Sequence, residues 1–283
     1  MNYQHAYHAG CIGDVFKHIV MIQLLKALQI KSNPLCYIDT HAGAAQYNLL
    51  DNPSQKTGEY KEGIARLWPD IAVKSAAIND YLEVIKVLNP DNTLNFYPGS
   101  GSIAQHYLRE NDEAILCELQ EAVYEPLRCH FYHDKRIHVH QREGYQALAD
   151  LLPPTIKRGV VLIDPPYEAP EEYQQIIASL KKAQQRWPQG VYAVWFPIKQ
   201  YDLVREFYHS LQKMHVDKVL VAECWVRQDK MAKRLNGSGM AIINPPWQFD
   251  QVLNKFLPEL AELLKIAKLG KVSVNWLLKS KDS

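Results

Sequence analysis

The sequence carries almost no net charge: 32 Lys and Arg are balanced by 31 Asp and Glu, for a formal charge of +1. Any contact with nucleic acid must therefore rest on a local patch and not on an overall field. Cysteine is sparse. Cys11, Cys36, Cys117, Cys129 and Cys224 are an odd number without paired spacing, which argues against a disulfide scaffold and reads as reduced thiols in a cytoplasmic protein. No apolar run approaches the length of a membrane span, so no membrane partner is expected. Met1-Asn2-Tyr3-Gln4-His5 has no charged segment leading into an apolar core, and no secretory signal is expected. Repeats, low-complexity tracts and linkers are missing as well. Cys129, His130, His133, His138 and His140 match no common zinc spacing, so no metal is expected. What remains is a chain of 283 residues, 47% hydrophobic and 22% charged, the composition of a globular enzyme with room for a large core.

The most informative stretch is Gly159-Val160-Val161-Leu162-Ile163-Asp164-Pro165-Pro166-Tyr167. An unbroken apolar run of this length suits a strand buried on both faces, as in a parallel sheet covered by helices. Two prolines then end it, since they cannot donate to a ladder, and leave Asp164 to Tyr167 as a stiff turn at the strand's carboxyl end. Open α/β sheets bind ligands at that edge. Asp-Pro-Pro-Tyr also resembles the catalytic motif of S-adenosylmethionine-dependent methyltransferases acting on exocyclic amino groups. Such an amine is a poor nucleophile because its lone pair is delocalised into the ring. A carboxylate and a proline carbonyl that both accept from it would favour a pyramidal nitrogen aimed at the methyl group, and the aromatic residue would stack on a flipped base. A strand-ending turn with a capping Asp is the plainer alternative.

The rest of the chain repeats a strand-helix rhythm. Tyr3 to Gly10 is dense in aromatic and imidazole groups and should be ordered over a site. A helix follows from Asp14, a possible cap, with Lys17 and His18 in its first turns. A cation there opposes the helix dipole, so Lys17 suits an anionic partner, unless it is simply solvated. Strands are expected at 35–39, 114–118, 137–140, 159–163, 190–197, 218–226 and 239–247, with a last short strand at 272–277. Residues 48–95 read as a helical insertion between the first and second strands, including helix at 59–67. His41 and Gly43 occupy the turn after the first strand, and Glu118 ends the second, where a carboxylate can accept from both hydroxyls of a ribose. Ser100 could reach the cofactor carboxylate or merely cap a helix. Glu143 could accept from an adenine amine, with Gly144 permitting close approach, or favour the start of the next helix. Arg227, Lys230, Lys233 and Arg234 form a cationic loop suited to phosphates or to a solvated hairpin tip. Asn244-Pro245-Pro246-Trp247 imitates the first motif, but Asp164 ends the fourth strand from the cofactor loop and is the better catalytic candidate.

The motifs Tyr3-x-His5-x-x-His8-Ala9-Gly10, Asp14-Val15-x-Lys17-His18, Asp39-Thr40-His41-Ala42-Gly43, Thr57-Gly58-Glu59-Tyr60, Tyr97-Pro98-Gly99-Ser100, Asp164-Pro165-Pro166-Tyr167 and Asn244-Pro245-Pro246-Trp247 together resemble the bacterial 23S ribosomal RNA adenine-N6 methyltransferases of the RlmJ type. The resemblance spans nearly the whole chain. It implies a single Rossmann-like methyltransferase domain over residues 1–283, with a seven-stranded, mostly parallel sheet and a small helical insertion. It also implies S-adenosylmethionine as cofactor and monomeric action on 23S ribosomal RNA, protein-free or in early assembly. By the same resemblance Asp164, Pro165 and Tyr167 are catalytic, and Tyr3, His5, Pro166, Lys230, Lys233 and Arg234 meet the substrate. Lys17, His18, His41, Gly43, Ser100, Glu118, Glu143 and Gly144 surround the cofactor; the family usually carries Asp where Glu143 stands. Proteins of this type are also linked to the use of external DNA as a nutrient, so a DNA amino-methyltransferase and a non-catalytic nucleic-acid-binding protein are the alternatives.

Overall fold

The computed structural model describes residues 4–68, 74–169, 171–227, 235–266 and 270–279. Its centre is β1 (Cys36–Asp39), entirely buried. Parallel pairing joins β1 to β4 (Glu113–Glu118) on one side and to β6 (Gly159–Ile163) on the other. Beyond β4 lies β5 (Ile137–Gln141), and beyond β6 lies β7 (Val191–Ile198), both again parallel. All five therefore end at one edge of the sheet. The next neighbours reverse: β9 (Gly237–Ile243) runs antiparallel to β7, β8 (Val219–Trp225) antiparallel to β9, and β10 (Lys271–Leu278) antiparallel to β8.

Two apolar clusters, one on each face, explain the runs without alternation. Val160 and Leu162 of β6 point into one, with Tyr37 and much of α1 (Ile12–Gln29). Val161 and Ile163 point into the other, with Ile38. That second face is covered by α6 (Gly144–Asp150), α7 (Glu172–Arg186) and α8 (Tyr201–Gln212). A helix apolar on nearly every side belongs in a core, and α1 is buried continuously from Ile12 to Ile22.

Three expectations need correction. Among the described residues the main sheet has eight strands and not seven, because β10 joins it as an edge. A half-exposed strand can be read as a strand, but its neighbour is chosen by a pairing tens of residues away. Second, the stretch read as a helical insertion is framed by a strand at each end. β3 (Phe96–Pro98) pairs antiparallel with β2 (Gln46–Asn48) in a separate ribbon, too short for its period to show in sequence, and α4 (Ser100–Tyr107) follows directly. Third, the helix expected at 59–67 is two 3-10 turns, Glu59–Lys61 and Ile64–Arg66. Between them the Ile64 N–H donates to the Gly10 carbonyl at 2.9 Å, which docks the segment on the N-terminal stretch. Regular helices here are α2 (Asn52–Thr57) and α3 (Ala76–Leu88).

Candidate active site

The carboxyl edge of the parallel strands holds two adjoining cavities. One, of about 470 Å³, is lined by all eight residues expected at the cofactor, from Lys17 and His18 to Glu143 and Gly144. The other, of about 810 Å³, is lined by Pro165, Tyr167, Trp195, Arg227 and the 59–62 turn. His5, Lys17, Asp164 and Pro166 line both. They form the wall through which one ligand could reach the other.

Buried charges hold that wall in place. Lys17 lies 5% exposed, with its Nζ 2.8 Å from Asp14 Oδ1 and 2.5 Å from Asp164 Oδ2. It is thus an ion-paired residue and not a solvated one. Burial alone would lower its pKa, but the two carboxylates outweigh that and hold it well above the usual lysine value. Asp14 is not the helix cap: α1 starts two residues earlier, which puts Asp14 in its first turn. Its Oδ2 accepts from the Gly10 N–H at 3.0 Å and lies 2.9 Å from His5 Nε2. Burial pushes the Asp14 pKa up, yet His5 and Lys17 hold it well below the usual carboxylate range. The N-terminal stretch is therefore fastened, through Asp14 and Lys17, to the carboxylate that ends β6.

Around the first cavity, backbone and side chain approach closely. Gly43 has φ +61°, and a Cβ there would sit 2.6 Å from the Tyr47 hydroxyl. Its N–H donates to Glu118 Oε2 at 3.1 Å, while the Gln120 N–H donates to Oε1 at 2.7 Å. A Cβ on Gly144 would lie 2.3 Å from the Thr40 carbonyl oxygen. Burial pushes the His41 pKa down to about 4, so this ring is neutral at ordinary pH. Glu143 caps α6, accepting from the Gln146 N–H at 2.8 Å, which leaves its other oxygen for a ligand. Ser100 opens α4 and sits 3.4 Å from the Ala42 carbonyl it donates to.

Around the second cavity, Tyr167 has φ +50°. Its hydroxyl donates to the Trp195 carbonyl at 2.5 Å, and its ring centroid lies 5.1 Å from that of Tyr173. The ring is clamped from behind by α7 and β7. Arg227 pairs with Glu62 across the cavity mouth. Tyr3, Lys230, Lys233 and Arg234 lie outside the described residues. Gly237, the first residue of β9, is opposite Ile198, so β9 begins at the Asp164 edge. Asn244 follows Ile243, which is opposite Tyr192, so the second Pro-Pro turn lies at the other edge of the sheet.

Sequence reasoning missed Asp14 as a hub, Trp195 as the anchor of Tyr167, and Asp39. Asp39 is fully buried, accepting from Tyr37 Oη at 2.8 Å and the His41 N–H at 3.1 Å. Its position at the end of the central strand was the available signal. Trp195 depends on a contact between separate elements, which no spacing announces, whereas the i, i+3 spacing of Asp14 and Lys17 was a readable signal.

A mostly parallel α/β sheet with helices on both faces and a cavity at its carboxyl edge, with Asp164 and Pro166 in its wall, defines a Rossmann-like protein of the methyltransferase kind. Residues 32–278 match the family described as ribosomal RNA large subunit methyltransferase D, RlmJ, and the chain belongs to that family. It is 38% identical to the ribosomal RNA large subunit methyltransferase J of Escherichia coli strain K12 over 98% of this chain and 99% of the relative. The enzyme of the same name from Haemophilus influenzae matches at 38% identity over the same shares. Protein LPL1258 of Legionella pneumophila has a crystal structure that superposes with a TM-score of 0.88, at 33% identity, over 97% of this chain and 99% of that one.

Proposed function

We propose that this protein transfers a methyl group from S-adenosylmethionine to the N6 amine of an adenine in 23S ribosomal RNA. The observation that carries the reading is the position of Asp164 in the wall common to the two cavities. One cavity would take the cofactor and the other the flipped base.

The first cavity suits that cofactor on chemical grounds. Glu118, held at each oxygen by a backbone N–H, is a fixed acceptor for the vicinal ribose hydroxyls. Gly144 packs directly against the Thr40 carbonyl and the His41 ring and so closes one side of the cavity, with Glu143 beside it as acceptor for an adenine amine. His18, His41 and Ser100 offer polar groups to the amino-acid end. When bound, S-adenosylmethionine supplies an electrophilic methyl group and departs as its thioether.

The protein's own part is orientation. Lys17 occupies Asp164 Oδ2, leaving Oδ1 to accept from the adenine amine. The Pro165 carbonyl is the second acceptor, aimed by the ring's fixed φ. Tyr167 presents a clamped face for stacking, with Pro166 beside it. Two acceptors on one amine pull its hydrogens out of the ring plane, so the nitrogen lone pair turns toward the cofactor side of the wall. Nitrogen gains the methyl carbon and sheds one proton to solvent as the product forms. His5, tied to Asp14 and lining both cavities, holds the N-terminal stretch at their junction. Arg227, Lys230, Lys233 and Arg234 are the cations that would meet the RNA phosphates.

The test is transfer of radiolabel from S-adenosylmethionine to protein-free 23S RNA from a strain lacking the gene, to genomic DNA and to total protein in parallel. N6-methyladenosine in RNA alone is the expected product. Label in DNA would overturn the substrate class, and label in another RNA base would overturn the target atom.

A further inference from the structure

One polar atom of the first cavity's wall stands out: Nε2 of His18 is buried and has no protein partner. The residue is 1% exposed and lines the cavity. Its other nitrogen, Nδ1, lies 2.8 Å from the Tyr97 hydroxyl. The two rings are stacked at 5.7 Å between centroids with an interplanar angle of 23°. Tyr97 in turn accepts from the Tyr81 hydroxyl at 3.1 Å. Both tyrosines are fully buried, at 0% exposure.

Counting protons along this chain leaves one arrangement. Tyr81 donates to Tyr97, and a buried hydroxyl proton without an acceptor is costly. With its oxygen receiving that bond, Tyr97 must place its own proton on His18 Nδ1. A neutral imidazole that accepts at Nδ1 carries its proton at Nε2. The reverse arrangement, with Nδ1–H donating to Tyr97, would strand the Tyr81 proton. Burial and the nearby Lys17 charge hold His18 well below the usual histidine pKa, so the ring stays neutral and its tautomer is the variable. We propose that Tyr81 and Tyr97 are positioning residues that set the His18 tautomer, presenting Nε2–H as a fixed donor to the carboxylate at the cofactor's amino-acid end. A donor without a lone pair fits an anion and not an ammonium group. Tyr81 belongs to α3, so a helix remote from the sheet edge contributes to cofactor selection.

The proposal rests on the cofactor reading above, and titration calorimetry with two ligands separates them. S-Adenosylhomocysteine carries the amino-acid end; 5′-methylthioadenosine lacks it. Tyr97→Phe should weaken S-adenosylhomocysteine about tenfold, the size of one hydrogen bond to a charged group, with 5′-methylthioadenosine changed less than about twofold. Tyr81→Phe should move the same ligand in the same direction by less, and serves if Tyr97→Phe folds poorly. In a His18→Gln background, whose amide donates whatever Tyr97 does, Tyr97→Phe should have no further effect. Nitrogen-15 spectra should show His18 protonated at Nε2 in the wild type and shifted toward Nδ1 in Tyr97→Phe. Equal losses for both ligands, an unchanged S-adenosylhomocysteine affinity, or an Nδ1–H wild type would overturn the proposal. If S-adenosylhomocysteine fails to bind the wild type at all, the cofactor reading falls first and takes the tautomer assignment with it.

Discussion

Asp164-Pro165-Pro166-Tyr167 and Asn244-Pro245-Pro246-Trp247 are nearly the same four residues at the end of a strand, and the fold treats them oppositely. The first follows β6, whose carboxyl end faces the two cavities. The second follows β9, which runs antiparallel to β7 and so ends at the far edge. Asp164 meets a buried lysine. Asn244 instead uses its side-chain amide to close a loop, donating to the carbonyls of Pro188 at 2.8 Å and Gly190 at 2.9 Å. Tyr167 is clamped at its hydroxyl, whereas Trp247 stands 77% exposed. A motif of this kind acquires chemistry from the direction of the strand before it.

Substitutions that exchange or remove the two turns test that contrast. The largest effect is expected for Asp164→Ala, which should cut single-turnover methyl transfer by roughly 10² to 10³-fold, the scale for loss of a group acting on developing charge. Cofactor affinity by calorimetry should change only a few-fold. Asn244→Ala should leave turnover intact and cost about 1–2 kcal/mol of stability, through its two lost hydrogen bonds, read as a lower denaturation midpoint. A large rate loss there would erase the distinction between the edges.

Gly144→Ala comes next, because its Cβ would meet the Thr40 carbonyl oxygen at 2.3 Å. Overpacking of this kind costs about 1–3 kcal/mol of stability, and we expect it as a lower denaturation midpoint measured without ligand. Tyr167→Phe removes the bond to the Trp195 carbonyl; about 1 kcal/mol of stability should go, with a raised KM for RNA. Trp247→Ala should change stability by less than about 0.5 kcal/mol, as for an exposed side chain without special contacts. If Trp247→Ala raises the KM for RNA as much as Tyr167→Phe does, the far edge also meets substrate.

The smallest effect concerns pH. The His41 pKa falls from 6.5 to about 4 in the folded protein. Between those values the unfolded chain takes up a proton that the folded one refuses, so the contribution is fully present above pH 6.5 and is lost as pH falls toward 4. Thermal midpoints measured across that window should decline less steeply for His41→Gln than for the wild type.

Much of the parallel half was legible. β1, β4, β5 and β6 lie within a residue or two of their expected bounds; β1 and β6, buried on both faces, write unbroken apolar runs into the sequence, and β5 shows the alternation of a half-exposed strand. Asp39, Glu118 and Asp164 could be placed at strand ends for the same reason. The antiparallel half was legible as strands but not as an arrangement: nothing in residues 271–278 names β8 as the neighbour of β10. The β2–β3 ribbon was hidden because three residues carry no readable period.

By itself, the sequence determined the strands of the main sheet, the helix that carries Lys17 and His18, and the turn chemistry of each proline pair, because these depend on neighbours within a few residues. Tertiary structure alone decided that Lys17 joins Asp14 to Asp164, and that Tyr81 and Tyr97 stand behind His18. Those facts join segments far apart in the chain. Their energies arise only after packing has removed water and left each buried charge or hydroxyl no other partner.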